Sequence, residues 1–237
     1  MREFQSLFQK YDRLVIFDTE TTGLSFSRDE IIEFAAVVVE QQKGKAVITR
    51  EYDELIALSP GMRIPPQIQN LTGITNEDVD TRGIAKDRLC RDIGEMVAGN
   101  TLLLAYNAHF DLSFLFYLLL RNGDPSILKG KDKLDLLTVY KDRKPYPHKL
   151  CNAIAAYGLS DQVVNSHRAV DDVIATVAVM REMEADRDDF LHSVNLFGYN
   201  PKYGVSGKPI GSVTYLPQKF FDIRPERLLY ETAAPCP

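Results

Sequence analysis

Two carboxylates stand two residues apart in Val15-Ile16-Phe17-Asp18-Thr19-Glu20-Thr21-Thr22-Gly23, at the end of an apolar run. In an extended strand, residues i and i+2 project from the same face. Asp18 and Glu20 therefore leave the strand together. Carboxylates held side by side repel unless a proton or a cation lies between them. Oxygen-only ligands favour a hard cation, Mg²⁺ or Mn²⁺. The plainer reading is a strand that ends in polar turn residues.

Two further carboxylates occur where helical patterns begin. Asp111, in Asn107-Ala108-His109-Phe110-Asp111, precedes Phe114, Leu115 and Leu118 at i+3, i+4 and i+7. Its carboxylate is thus in line with the buried face of the helix. A first-turn aspartate also serves as a cap or as a partner for the helix dipole. Asp172, in Ser166-His167-Arg168-Ala169-Val170-Asp171-Asp172, lies beside a core stripe of Ala169, Val173, Thr176, Val177 and Met180. His167 sits just before that helix, where a loop imidazole reaches a site without being locked in the core.

These residues need a scaffold. Phe4, Leu7, Phe8 and Tyr11 predict a short amphipathic helix. Gln5-Ser6-Leu7-Phe8 within it loosely resembles the short peptides that dock on a sliding clamp. Arg13 to Phe17, Ile31 to Val39 and Val47 to Leu58 read as strands, apolar enough for a sheet covered on both faces. Glu33 interrupts the second strand, facing either solvent or the site.

Helices follow from Pro65 to Leu71 and from Lys86 to Ala98. Between them Thr75 caps a short turn, with Asp78 at the capping-box position. Leu102 to Tyr106 reads as a buried strand, Lys133 to Leu137 as a short edge strand, and Leu150 to Tyr157 as a helix ended by Gly158. Lys141 to Lys149 is a basic, proline-broken loop suited to phosphate contacts or to plain solvation. From about Asn195 turn signals dominate, and Val213 to Leu216 reads as a strand.

The 237 residues suit one large domain with an extension, and a 45% hydrophobic content supplies a sizeable core. The net charge of −5 argues against a protein that coats nucleic acid through a broad basic surface. It leaves room for a nuclease, in which bound cations supply local positive charge. Three widely spaced cysteines, Cys90, Cys151 and Cys236, have no metal-type spacing and suggest free thiols in a reducing, cytoplasmic setting. Met1 to Asp12 does not read as a signal peptide, and no apolar run approaches membrane-spanning length.

In order, Asp18-Thr19-Glu20-Thr21-Thr22-Gly23-Leu24, Asn107-Ala108-His109-Phe110-Asp111 and His167 with Asp172 resemble the three motifs of the DEDD superfamily of 3′-to-5′ exonucleases. The likeness is to the branch with histidine in the third motif, which includes the proofreading epsilon subunit of bacterial DNA polymerase III and its stand-alone relatives. Leu71-Thr72-Gly73-Ile74-Thr75 resembles a further recurrent segment, and the likeness spans about residues 11–185. The family's His-to-Asp spacing selects Asp172 over the adjacent Asp171.

This resemblance implies an α/β, RNase H-like fold: a mixed central sheet flanked by helices, with residues 1–190 as the exonuclease domain and 191–237 as a C-terminal extension to which it assigns no role. It implies two divalent ions, Mg²⁺ or Mn²⁺. Asp18, Glu20 and Asp172 would hold the first, and Asp18 the second, with Asp111 assisting directly or through water. His167 would be the general base. Backbone amides of Thr21, Thr22 and Gly23 would hold the terminal nucleotide's sugar or phosphate; Asn107 would lie at its pocket, and Leu24, Ile74 and Phe110 either line that pocket or pack in the core. The expected substrate is a nucleic acid 3′ end, with single-stranded DNA favoured. A DNA polymerase or sliding clamp is an expected partner. An exoribonuclease is the rival among enzymes. A silent nucleic-acid-binding module is the rival outside them, and the intact set of carboxylates speaks against it.

Overall fold

A computed structural model describes residues 3–197. The expected strand at Val213 to Leu216, and Cys236, lie outside the described residues. Five strands, β1 (Arg13–Thr21), β2 (Ile31–Gln42), β3 (Lys45–Leu55), β4 (Thr101–Ala105) and β5 (Asp132–Asp135), form one sheet in the order β3-β2-β1-β4-β5. β1, β2 and β3 are antiparallel neighbours, whereas β4 and β5 continue from β1 in parallel. The sheet is mixed, and its helices cover both faces, as an RNase H-like fold requires.

Strand alternation sorts the core into two layers. Leu14, Ile16, Ala35, Val37, Leu102 and Leu104 meet the helices α1 (Gln5–Phe8), α6 (Leu136–Arg143), α7 (Leu150–Ala156) and α8 (Ala169–Asp186). Val15, Phe17, Phe34, Ala36, Val38 and Leu103 meet α4 (Lys86–Met96) and α5 (Ala108–Asn122) on the other face. The short α2 (Pro66–Thr72) and α3 (Asn76–Arg82) bury a smaller cluster of Ile32, Leu55, Ile64, Ile74 and Val79. Thr75 and Asp78 form the capping box that starts α3.

The structure refines the sequence reading at four places. Leu7 is fully buried and Phe8 packs partly buried against the same core, so Gln5 to Phe8 is the expected packing helix, with Leu7 unavailable as part of a clamp-docking peptide. Lys133 to Leu137 is not all strand: Asp135 ends β5 and caps the helix α6 by accepting from the Leu137 N–H. The expected basic loop is therefore shorter. Arg143 belongs to α6, and its buried guanidinium pairs with Asp189 rather than with solvent. Finally, residues 190–197, mostly assigned to the extension, pack on the body. Val194 bridges Leu134 on β5, Asn195 bonds Lys133, and Phe197 is fully buried.

Among the described residues, no helix is long and apolar enough to cross a membrane. Cys90 and Cys151 are free thiols.

Candidate active site

β1 outruns its parallel neighbour. Its pairing with β4 covers only Arg13 to Ile16, while its pairing with β2 continues to Thr21. The stretch from Phe17 onward thus lies at the carboxyl end of the parallel strands, where open α/β sheets place their ligands. Asp18 and Glu20 share the face of Leu14 and Ile16, the side covered by α8. Opposite Asp18 across the antiparallel pair is the small Ala35.

Past the end of β4, the chain turns into α5 through Asn107, whose φ of 72° is left-handed. Asp135 steadies this entry by accepting from the Asn107 and Ala108 N–H groups. One turn into α5, Asp111 faces inward at 2% exposure. Its Oδ1 accepts from the Thr19 N–H at 3.0 Å and the Thr19 hydroxyl at 2.7 Å. Asp111 thus takes a β1 donor left unpaired where β4 has ended.

α8 brings the third part. Asp172 is buried in its first turn, and its Oδ2 accepts from the Asn165 amide at 2.6 Å. His167 precedes the helix with a φ of 60°, a left-handed conformation uncommon outside glycine, and is exposed. Ligand atoms of Glu20, His167 and Asp172 all lie within 4.8 Å of one another.

Charge accumulates here without matching cations. Burial raises Asp18 well above the ordinary carboxylate range, and Asp111, Asp172, Glu20 and Glu33 raise it further. Burial, then Asp172, pushes Glu20 up to about 8, with Arg168 pulling the other way. Burial lifts Asp111 to about 7 despite the stabilising bonds from Thr19. Asp172 is raised by burial, against the Asn165 amide and His167. Its Oδ1 is buried and has no hydrogen-bond partner. An orphaned carboxylate oxygen inside a hard-oxygen donor set fits a divalent cation.

The turn after β1 is the candidate pocket edge. A bulge between Glu20 and Thr21 interrupts the pairing with β2. The Thr21 hydroxyl donates to the Gly23 carbonyl, and the Thr22 N–H is taken by the Glu30 carbonyl. A Cβ on Gly23 would lie 2.6 Å from Asp29 Oδ2, so any larger residue there would have to displace the Asp29 carboxylate. Leu24 is 84% exposed at this edge. Phe110 is half-buried, its ring centroid 4.9 Å from that of Phe114, and Asn107 is exposed. Ile74 is not brought to the site's surface. It is 2% exposed among Ile32, Leu55, Ile64 and Val79, where it fills core space and has no face to offer a base.

Several supporting residues had no sequence role. Thr19 and Asn165 look ordinary in a one-dimensional reading. Glu33 had a signal, a charge inside an apolar strand, but its direction was open. It is fully buried, directly opposite Glu20, and accepts from Arg168 and from the Ala169 N–H.

The family model described as Exonuclease (RNase_T) matches residues 15–180. The DNA polymerase III subunit epsilon of Treponema pallidum is 33% identical over 174 residues, covering 71% of this chain and 75% of that protein. The PolC-type DNA polymerase III of Clostridium perfringens is 32% identical over 197 residues, which are 81% of this chain but 12% of that one. E. coli exonuclease I, in a crystal structure with a dT13 oligonucleotide, superposes with a TM-score of 0.67 at 20% identity, covering 81% of this chain and 45% of that one. The chain thus spans a small part of the polymerase and under half of exonuclease I. A family match over most of the folded body, joined to the epsilon relative matched along most of its length, means that this chain belongs to the exonuclease family, on its DEDD 3′-to-5′ branch.

Proposed function

We propose that the chain removes nucleotides one at a time from DNA 3′ ends and releases nucleoside 5′-monophosphates. Asp18, Glu20, Asp111 and Asp172 hold a pair of Mg²⁺ or Mn²⁺ ions, and His167 is the general base. The observation that carries this reading is the buried carboxylate cluster with its orphaned Asp172 Oδ1. Such a cluster is costly to fold unless a cation is its working partner.

When bound, the ions supply positive charge to the attacking and leaving oxygens of an in-line displacement. The chain's own residues do the rest. His167, exposed at the rim, accepts a proton from the attacking water, the usual work of an imidazole in general-base catalysis. Thr19 and Asn165 orient Asp111 and Asp172 through the hydrogen bonds described above. The Thr21-to-Leu24 turn, with Phe110, borders the space for the terminal nucleotide, and the exposed Leu24 offers it an apolar surface. The catalytic unit runs through Phe197, and residues 198–237 are left without a role. DNA is favoured because the similar proteins are named as DNA polymerase III components, and a polymerase is the corresponding partner.

The test is digestion of matched 5′-labelled DNA and RNA single strands with Mg²⁺, Mn²⁺ or EDTA, alongside Asp18→Ala. We expect stepwise shortening of DNA that EDTA and Asp18→Ala both abolish. Activity surviving both would refute the cation-dependent reading. Faster loss of RNA would move the assignment to an exoribonuclease.

A further inference from the structure

We infer that Glu33 is a positioning residue for His167 and Asp172, acting through Arg168 and the first turn of α8. The inference rests on the proposed reading of the site, and it adds a residue on a strand that none of the exonuclease motifs includes.

Glu33 is an odd residue for its place. Every other residue of β2 from Ile31 to Val39 is apolar and buried, and Glu33 itself is fully enclosed. It is registered directly against Glu20, and like charges opposite each other destabilise a strand pair. A buried ion pair is seldom the most stable choice where an apolar side chain would fit. Stability therefore does not account for a glutamate here.

What Glu33 contacts does account for it. Its Oε1 accepts from Arg168 Nε at 2.8 Å and Nη2 at 2.5 Å, and its Oε2 accepts from the Ala169 N–H at 2.7 Å. Ala169 is the first residue of α8, and Arg168, its N-cap, makes no capping bond with its own side chain. Glu33 thus caps α8 from across the sheet, 136 residues away in sequence. The segment ahead of the helix is held on its other side by the Asn165 amide on Asp172. His167 lies between these two ties in a left-handed conformation, uncommon outside glycine, that the ties on either side help to hold. Its side chain is exposed, so neighbours do not pack it into place and its backbone must aim it. The same tie sets the phase of the first turn of α8, which carries Asp172.

Breaking either half of the Glu33–Arg168 pair should therefore slow the chemical step while leaving the substrate cleft as it is. Glu33→Gln loses one tie whichever way its amide is turned. Arg168→Ala removes the other partner from a half-exposed position but leaves the Glu33 charge buried without its cation, so its melting temperature is read alongside its rate. We would measure kcat and KM on a 5′-labelled single-stranded DNA oligonucleotide at saturating Mn²⁺ for both variants, the double variant, Arg168→Lys and Asp18→Ala, with melting temperatures for each.

The expected result is a fall in kcat of about 10- to 100-fold for each single change. KM should stay within about 3-fold, and the double variant should be no worse than about the poorer single one. Arg168→Lys should recover part of the loss. The inference is overturned if both single variants keep kcat within about 3-fold of wild type while Asp18→Ala is inactive. It is also overturned if the two losses simply multiply. If Glu33→Gln does not fold, the Arg168 variants carry the same prediction. Full activity in Asp18→Ala would instead refute the reading of the site itself, whatever Glu33 does.

Discussion

Glu20→Gln should make the cation-free protein more stable while abolishing its activity. Burial, with Asp172, Glu33 and Asp111 around it, lifts Glu20 from an ordinary 4.5 to about 8. For an acid whose folded value is raised, the penalty is absent below the unfolded value and grows as pH rises toward the folded one. The window is therefore pH 4.5 to about 8. At about 1.4 kcal/mol per pH unit, the cost reaches roughly 3 kcal/mol at pH 7 as a ceiling. Neighbouring carboxylates share the strain, so removing one charge should recover about 1–3 kcal/mol, or about 3–10 °C in a chain of this size. The assay is thermal unfolding in EDTA from pH 5 to 8.5, repeated with Mg²⁺ or Mn²⁺. Wild type should lose stability as pH climbs through this window, and the variant should lose less. Added cation should stabilise wild type more than the variant, since ligand that binds only the folded state raises its stability. A variant no more stable than wild type in EDTA at pH 7 would refute the reasoning, as would a wild-type curve flat across the window.

Two further outcomes follow from contacts remote from the cluster's centre. Thr19→Val keeps the side-chain shape and the N–H bond to Asp111 but removes the 2.7 Å hydroxyl bond. Steady-state kinetics should show kcat lowered about 10-fold with the melting temperature little changed, whereas unaltered kcat would mean that Asp111 needs no such hold. Lys133 is fully buried, donating to the Leu128 and Lys131 carbonyls, and burial lowers it from 10.5 to about 7. A base lowered in this way penalises folding increasingly as pH falls from 10.5 to about 7. Lys133→Met should therefore gain about 1–3 kcal/mol in chemical denaturation at pH 7, the gain shrinking toward pH 10, and a gain independent of pH would refute it.

Much of the site could be read in one dimension because strands and helices repeat on fixed periods. Asp18 and Glu20 share a face by strand parity alone. Asp111 aligns with Phe114, Leu115 and Leu118 by helical spacing, and it is buried as that alignment requires. The apolar runs at Leu14 to Phe17, Ile31 to Val39 and Leu102 to Ala105 announced a sheet covered on both faces, and two core layers flank it. Periodicity also had limits. It could not distinguish Ile74 at a pocket wall from Ile74 in a core, because an apolar residue in a loop suits either. It ran β5 on into α6, because Leu136 and Leu137 fit a strand or a helix, and only the cap at Asp135 separates them.

The order β3-β2-β1-β4-β5 is what sequence could not supply, and the supporting contacts depend on it. Thr19 reaches Asp111 across 92 residues because β4 stops where β1 continues. Glu33 reaches Ala169 across 136 because β2 lies beside β1 and α8 crosses that face. The sequence by itself determined which carboxylates could do chemistry, since their types and local spacing are properties of a single element. Tertiary structure alone decided how they are held, because a hydrogen bond between distant segments exists only once the sheet has brought their backbones together.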